Sequence, residues 1–388
     1  MRKPVKRPQG RKRFLILILA ILLLTAPGCW RGRELDARAF VTAVAFDLTT
    51  GEGADPDEFL LSIQVPIPAK MAGEGGDQGG DGKPFVVYGT TTKMVTTGIR
   101  QLQRQLDREL FFGHTHLILF NVEVAKAIGV DRLLDYFKRD FRVQRIARIA
   151  VIDGEAREIL KLEPPISQTP AAYIENLLSG QSASGINYIS DFGRFLVEQG
   201  DVGFDPVLPR VSKGKETALT GGGAVIKNGK FVGWLENNET RALNILLNQK
   251  IVSIYEVKCP LHPLEEIIVR TTGFGSRYRL NNQNGRTVMQ IRVGGQFETV
   301  EFTDQHGPLA TIQDDLEKAV SAAVRAEVEQ VIQKAQELGA DILGVGRRLQ
   351  ALKHDLWQAM DWEREFPAFP IEVEVDMEWT MTVRRFGG

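Results

Sequence analysis

A chain of 388 residues exceeds one ordinary domain, and at about 100–200 residues per domain two or three are expected. Hydrophobic residues at 43% and charged residues at 25% give a globular balance, which excludes a wholly disordered chain and a multi-spanning membrane protein. Two cysteines exclude a disulfide scaffold and a four-cysteine zinc site, and five histidines leave little material for a histidine-rich metal centre. The net charge of −1 hides an uneven distribution. Arg2, Lys3, Lys6, Arg7, Arg11, Lys12 and Arg13 precede the first acid, Glu34, and without residues 1–28 the remaining 41 basic and 49 acidic residues carry −8. An acidic body lacks the clustered positive charge that phosphate backbones require, so nucleic acid is set aside as a partner.

Behind the basic block runs Phe14–Leu24, eleven apolar residues without a break, followed by Ala26, Pro27 and Gly28. A basic head, a short apolar stretch and small residues form a secretory signal, and the stretch is short for a spanning helix. Cys29 directly behind Gly28 resembles the lipobox of bacterial lipoproteins. There the signal is cut before the cysteine, the thiol takes a diacylglycerol and the new amine is often acylated. An ordinary signal peptide with an incidental cysteine, or an uncleaved anchor, is the other reading. Each buried methylene adds about 0.8 kcal/mol, so two or three acyl chains anchor firmly where one is marginal. With Cys29 lipidated, Cys259 stands alone in an exported body. The alternation of Tyr255–Cys259 suggests the end of a strand and a half-buried thiol, with no base placed to make it a nucleophile.

In chain order, Ala39–Phe46 and Phe59–Val65 are rich in β-formers and parted by Gly, Asp and Pro, a two-strand signal. Residues 72–84 hold six glycines with acids, a surface loop whose acids lack calcium-ligand spacing. Met94, Ile99, Leu102 and Leu106 predict an amphipathic helix within Thr90–Leu110. His114–Phe120 reads as a buried strand with His114 and His116 on one face. A two-histidine metal site is weighed there against polar strand ends beside a turn, and the second is preferred. A helix over Leu133–Phe141 and a strand around Ile146–Ile152 follow. Pro164, Pro165 and Pro170 break the pattern. Helices are expected around Tyr173–Leu178 and Phe192–Gln199, then a linker at Phe204–Glu216 with Pro206, Pro209 and a polar run.

Ala224–Lys227 and Lys230–Trp234 flank Asn228-Gly229, the favoured type I′ hairpin dipeptide. Glu239–Leu247 is a short helix. Asn284-Gly285 parts strands at Tyr278–Leu280 and Val288–Val293. The longest helix spans Asp314–Leu338 with the stripe Leu316, Val320, Val324, Val328, Val331 and Leu338, acids at its start and Gly339 as its cap. Strict alternation from Ile371 to Arg384 predicts one long strand with a wet face. The class is α+β, with antiparallel or mixed sheets packed by helices. Boundaries near 162 and 213 give a signal segment 1–28, an N-terminal domain 29–162, a small middle domain with linker 163–213 and a C-terminal domain 214–388.

Catalytic patterns are missing from the sequence. No Gly-x-Ser-x-Gly elbow and no zincin histidine pair occur. Gly221-Gly222-Gly223 precedes a strand instead of opening a helix, which disfavours a phosphate cradle. Gly344-Val345-Gly346 before Arg347 and Arg348 is an anion nest or, preferably, a turn between helices. Glu363 and Glu365 are the solvated side of an irregular segment. No catalytic residue, cofactor or metal ligand is assigned.

Several segments occur in a telling order. They are Cys29-Trp30 with Arg33-Glu34-Leu35; Gly113-His114; Ala125-Lys126; Asp131–Phe137 with Arg139-Asp140; and Ala156–Leu160. Then come Leu219-Thr220-Gly221 through Leu235, Glu239-Thr240-Arg241, Ala340–Gly346, Trp357 and a final strand into Arg384-Arg385. This order resembles the Ger(x)C lipoproteins, the C subunits of spore germinant receptors. The resemblance implies three α+β domains tethered by lipidated Cys29 on the extracytoplasmic face of the spore inner membrane. It implies assembly with integral-membrane A and B subunits into a nutrient-sensing complex, and no enzymatic activity. A lipid-tethered solute-binding protein of a transporter is the alternative, and it expects two similar lobes around a cleft.

Overall fold

The computed structural model describes residues 37–51, 53, 55–71, 83–140, 142–180, 185–262, 264–283, 285–302 and 312–380. Its strands are β1 (Arg38–Phe40), β2 (Ala43–Leu48), β3 (Phe59–Pro66), β4 (Phe85–Thr92), β5 (Glu109–Phe111), β6 (Leu117–Asn121) and β7 (Arg148–Asp153). Then come β8 (Val207–Lys213), β9 (Ala218–Lys227), β10 (Lys230–Leu235), β11 (Ile254–Lys258), β12 (Glu266–Gln283), β13 (Arg286–Glu301) and β14 (Ile371–Trp379). The helices in the first half are α1 (Pro68–Met71), α2 (Val95–Gln103), α3 (Val122–Ala127), α4 (Val130–Arg139), α5 (Ala156–Leu160), α6 (Pro170–Gly180) and α7 (Phe192–Gly200). In the second half they are α8 (Asn237–Leu246), α9 (Gln313–Leu338), α10 (Val345–Leu352), α11 (His354–Ala359) and α12 (Trp362–Glu365).

An eight-stranded sheet has the order β10-β9-β8-β7-β6-β2-β3-β4. Its centre, β8-β7-β6-β2, is parallel, and both margins are antiparallel. Parallel strands covered on both faces are apolar throughout, and β2 is buried from Ala43 to Asp47. The two faces differ in side-chain size. Val44-Ile118-Ile149 and Phe46-Phe120-Val151 are register rows that pack under α2, α3, α4 and α7. Phe46 and Phe120 stack with centroids 5.4 Å apart. On the other face Ala43, Ala45 and Ala150 let α5 and α6 approach closely.

The second sheet, β11-β12-β13-β14, is antiparallel except for the parallel pair β13–β14. Its inner face carries Val257, Val269, Met289, Ile291, Val293 and Met377. These residues share one core with α8, with the α9 stripe and with Val207, Val225 and Leu235 of the large sheet. The predicted α9 stripe is fully buried from Leu316 to Val331, each aliphatic side chain contributing about 2 kcal/mol. Gly339 ends the helix at φ 61°. Asn228 and Gly229 take φ 50° and 75°, the left-handed pair that a type I′ turn needs.

The α+β class stands, and several boundaries move. Residues 204–216 are not a linker. They contain β8, which pairs with β7 and β9, so the boundary expected near 213 falls inside one hydrogen-bonded sheet. That sheet is mixed, and with the smaller mixed sheet it does not form the two similar lobes of the solute-binding alternative. The helix expected across Thr90–Leu110 is confined to α2, because β-branched Thr90, Thr91 and Thr92 complete β4. Gly221–Gly223 lie inside β9 instead of preceding it. A Cβ on Gly222 would meet the Leu235 carbonyl at 2.4 Å, so the glycines allow a close backbone approach. The hairpin around Asn284-Gly285 is far longer than expected, with pairing from Ile268–Glu301 to Gln283–Arg286. The last strand ends at Trp379, and residues 381–384 of the predicted alternation lie outside the described residues, as do Asn284 and most of the 72–84 glycine loop.

Candidate interaction surfaces

Cys29 and the apolar run before it lie outside the described residues, and no helix among the described residues is long and apolar enough to cross a membrane. Cys259 is 3% exposed, more buried than its strand-end position suggested. His114 and His116 do not share a strand face. His114 closes a 3₁₀ turn, Phe112–His114, edge-on to Phe40 at 5.0 Å, while His116 precedes β6 with Nδ1 3.9 Å from Glu175 Oε2. Glu363 and Glu365 belong to a helical turn, α12, and both point to solvent.

The Ala340–Gly346 segment is built around one carboxylate. Asp341 is 2% exposed; its Oδ1 accepts from Val345 N at 3.1 Å, and its Oδ2 from Gly346 N at 2.7 Å and Trp362 Nε1 at 3.2 Å. The amides of the possible anion nest are therefore occupied by the chain's own anion, which caps α10. Asp341 N donates to Asp205 Oδ2 at 2.8 Å, and Asp205 N donates to the Asp341 carbonyl at 2.9 Å. Arg347 N donates to the Gly203 carbonyl at 3.0 Å, and Arg347 Nη1 reaches Asp201 Oδ2 at 2.8 Å. The loop entering β8 is thus stitched to the loop entering α10. Burial pushes the Asp341 carboxyl up to about 6 against the pull of its N–H donors, and burial also raises Asp205. A Cβ on Gly346 would fall 2.4 Å from Trp362 Nε1, so glycine is required where the indole crosses.

A second polar cluster ties α8, β11 and α9. Arg241 Nε donates to Glu327 Oε2 at 3.0 Å, Nη2 to Glu327 Oε1, and Nη1 to the Ile254 carbonyl at 3.0 Å. The Tyr255 hydroxyl donates to Glu327 Oε2 at 3.2 Å, and the guanidinium lies 4.2 Å over the Tyr255 ring. A third unit is local: Arg194 Nε reaches Glu198 Oε1 at 2.6 Å, and the Tyr188 hydroxyl donates to the same oxygen at 3.2 Å. Both are structural. Arg241 and Glu327 tie packed elements together, and Arg194, Tyr188 and Glu198 Oε1 bond to one another, while Glu198 Oε2 is buried without a hydrogen-bond partner among the described residues.

The Asp131–Phe137 segment divides by face. Leu133, Leu134 and Phe137 enter the core, while Asp131, Arg132, Asp135 and Tyr136 line a groove of about 840 Å³ against Lys93, Met94 and Val95. The cations on its rim are paired: Lys93 with Asp55, Arg132 Nη1 with Asp57 Oδ1 at 2.7 Å, and Arg142 Nη2 with Asp140 Oδ2 at 2.8 Å. The Arg142 hydrogen bond holds the Asp140 carboxyl below the ordinary range. An apolar floor with a charge-balanced rim suits a protein surface better than a reacting centre.

Residues 31–213 match the family model described as the spore germination protein N-terminal domain, and residues 221–387 match the spore germination B3/GerAC-like C-terminal model. The chain belongs to the Ger(x)C family of spore germination proteins. Among the curated Ger(x)C proteins of Bacillus subtilis, spore germination protein KC is 25% identical over 397 residues, covering 94% of this chain and 95% of its own. Spore germination protein B3 is 21% identical, covering 93% and 96%. The crystal structure of the GerBC protein superposes with a TM-score of 0.58 at 17% identity, covering 87% of this chain and 97% of that one, which establishes the shared Ger(x)C fold. The role of this chain is accordingly in spore germination.

Asp341 and Arg241 lie in family-like segments of the sequence, which do not by themselves reveal the contacts these residues make. The signal available for Asp341 was an aspartate three and five residues before two glycines, where a capping carboxylate meets a left-handed entry. Glu327 carried no signal, because its partner is 86 residues away in sequence.

Proposed function

We propose that this chain is the lipid-anchored, non-enzymatic subunit of a germinant receptor, held through Cys29 at the extracytoplasmic face of the spore inner membrane. It assembles there with two integral-membrane subunits and presents folded surfaces to them. The observation that carries this reading is the consecutive match to both germination family models, beginning at residue 31, two positions after Cys29. The basic head and eleven-residue apolar run directly before Cys29 support export and acylation. Buried polar clusters consumed by fold-building contacts support a binding role over chemistry.

Replacement of the thiol separates anchoring from folding. Cys29→Ala is expected to move the protein from the spore membrane fraction to the soluble fraction and to abolish germination with the nutrients its receptor serves. A Cys29→Ala protein that stays membrane-bound through detergent-free washing, in spores that germinate normally, would falsify the anchor reading.

A further inference from the structure

β14 is the outer strand of the four-stranded sheet, and its two sides differ in chemistry. Val373, Val375 and Met377 pack on the core, whereas Glu372, Glu374, Asp376 and Glu378 stand exposed on the opposite face. Pairing with β13 uses the main chain of the even-numbered positions: the Pro370 carbonyl accepts from Met289 N at 3.0 Å, and Thr380 N donates to the Phe297 carbonyl at 2.8 Å. The odd-numbered N–H groups point away from β13. Two of them are taken by α9, Met377 N by Ser321 Oγ at 3.0 Å and Trp379 N by Glu317 Oε1 at 2.9 Å. Those of Ile371, Val373 and Val375 have no partner among the described residues.

Charge says what such an edge accepts. Glu374 is paired with Arg292 Nε at 2.6 Å, and Glu372 accepts from Gln283 Nε2 at 3.1 Å. Asp376 and Glu378 have no cationic partner among the described residues. The neighbouring positions on that face are Gly294 and Gly275, register partners of Asp376 and of each other, and a Cβ on Gly275 would meet nothing within 4 Å. We propose that the β14 edge at residues 371–375 takes an extended basic segment of a partner protein as a fifth strand. Backbone hydrogen bonds to Ile371, Val373 and Val375 would hold it, with its lysines or arginines beside the acid ladder and its apolar residues continuing the inner row. A second copy of this chain does not fit the edge, because two-fold pairing sets one acid ladder against the other. The inference stands on the geometry and charge of the strand and does not require the lipid anchor.

The test uses the full chain in detergent and two capped peptides, one alternating lysine with valine, the other glutamate with valine. The lysine peptide is expected to bind, to slow amide exchange at Val373 and Val375, and to weaken as salt is raised. Val373→Pro removes one outward donor where proline is tolerated in an edge strand, and should weaken binding about tenfold, with some loss of Tm from the lost core packing of Val373. Glu372→Lys/Asp376→Lys alters only exposed side chains and should abolish the preference for the lysine peptide, which keeps the test decisive if the proline variant misfolds. Equal binding of both peptides, binding without protection of Val373 and Val375, or an edge-dependent dimer of the chain itself would each overturn the proposal.

Discussion

Asp341 is a carboxylate taken out of water and surrounded by N–H donors, and its protonation couples to folding. Its carboxyl titrates near 6 in the folded chain against 3.8 unperturbed, and Asp47, buried while it caps α5 through Ala156 N and Arg157 N, behaves alike. Between those values the folded state holds more protons than the unfolded state. Stability therefore falls as pH rises from about 4 to 6 and is flat above. Asp140 and Glu158, held low mainly by hydrogen bonds from Arg142 and Lys161, lose their contribution only below the ordinary carboxylate range. Thermal melts should thus show Tm declining across that window. Asp341→Asn turns an acceptor into a donor facing donors, which should cost about 1–3 kcal/mol and flatten part of the slope. A Tm rising steadily from pH 4 to 6 would contradict this assignment.

At the scale of elements, the Arg241–Glu327 pair decides how α8 and α9 meet. Both side chains are 16% exposed, so removing one strands the other in a poorly solvated place. Arg241→Ala is expected to cost about 3–5 kcal/mol, while Arg241→Lys, which keeps charge but loses the fork, should recover only part. Denaturant unfolding of the three proteins measures this, and an Arg241→Ala loss below that of a surface substitution would discount the pair. Elements were legible where period and punctuation agreed: α9 with its stripe and Gly339, the Asn228-Gly229 turn, and the alternation of β14. β8 was not, because Pro206, Pro209 and a polar run resemble a linker. In the structure Pro209 sits beside a register shift in the β8–β9 pairing, one of the few places where a sheet interior tolerates proline.

For the whole molecule, the sheet shared across residues 213 and 218 makes the two family-matched halves interdependent. A fragment ending at residue 213 would lose β9 and β10 and open the β8 edge beside fully buried Val207 and Leu208. Such a fragment is expected to aggregate, whereas residues 37–388 stay in solution. Light scattering of the two purified proteins separates the cases, and a well-behaved, cooperatively melting fragment 37–213 would show that the halves fold separately.

The α+β class and the family were already determined by residue order, because each rests on local period, composition or short segments read along the chain. The placement of β8, the Asp205–Asp341 stitch, the Arg241–Glu327 pair and the half-open edge of β14 were decided only by tertiary structure. Those features join positions far apart in the chain, and only packing determines which buried charge meets which donor and which strand is left at the margin of a sheet.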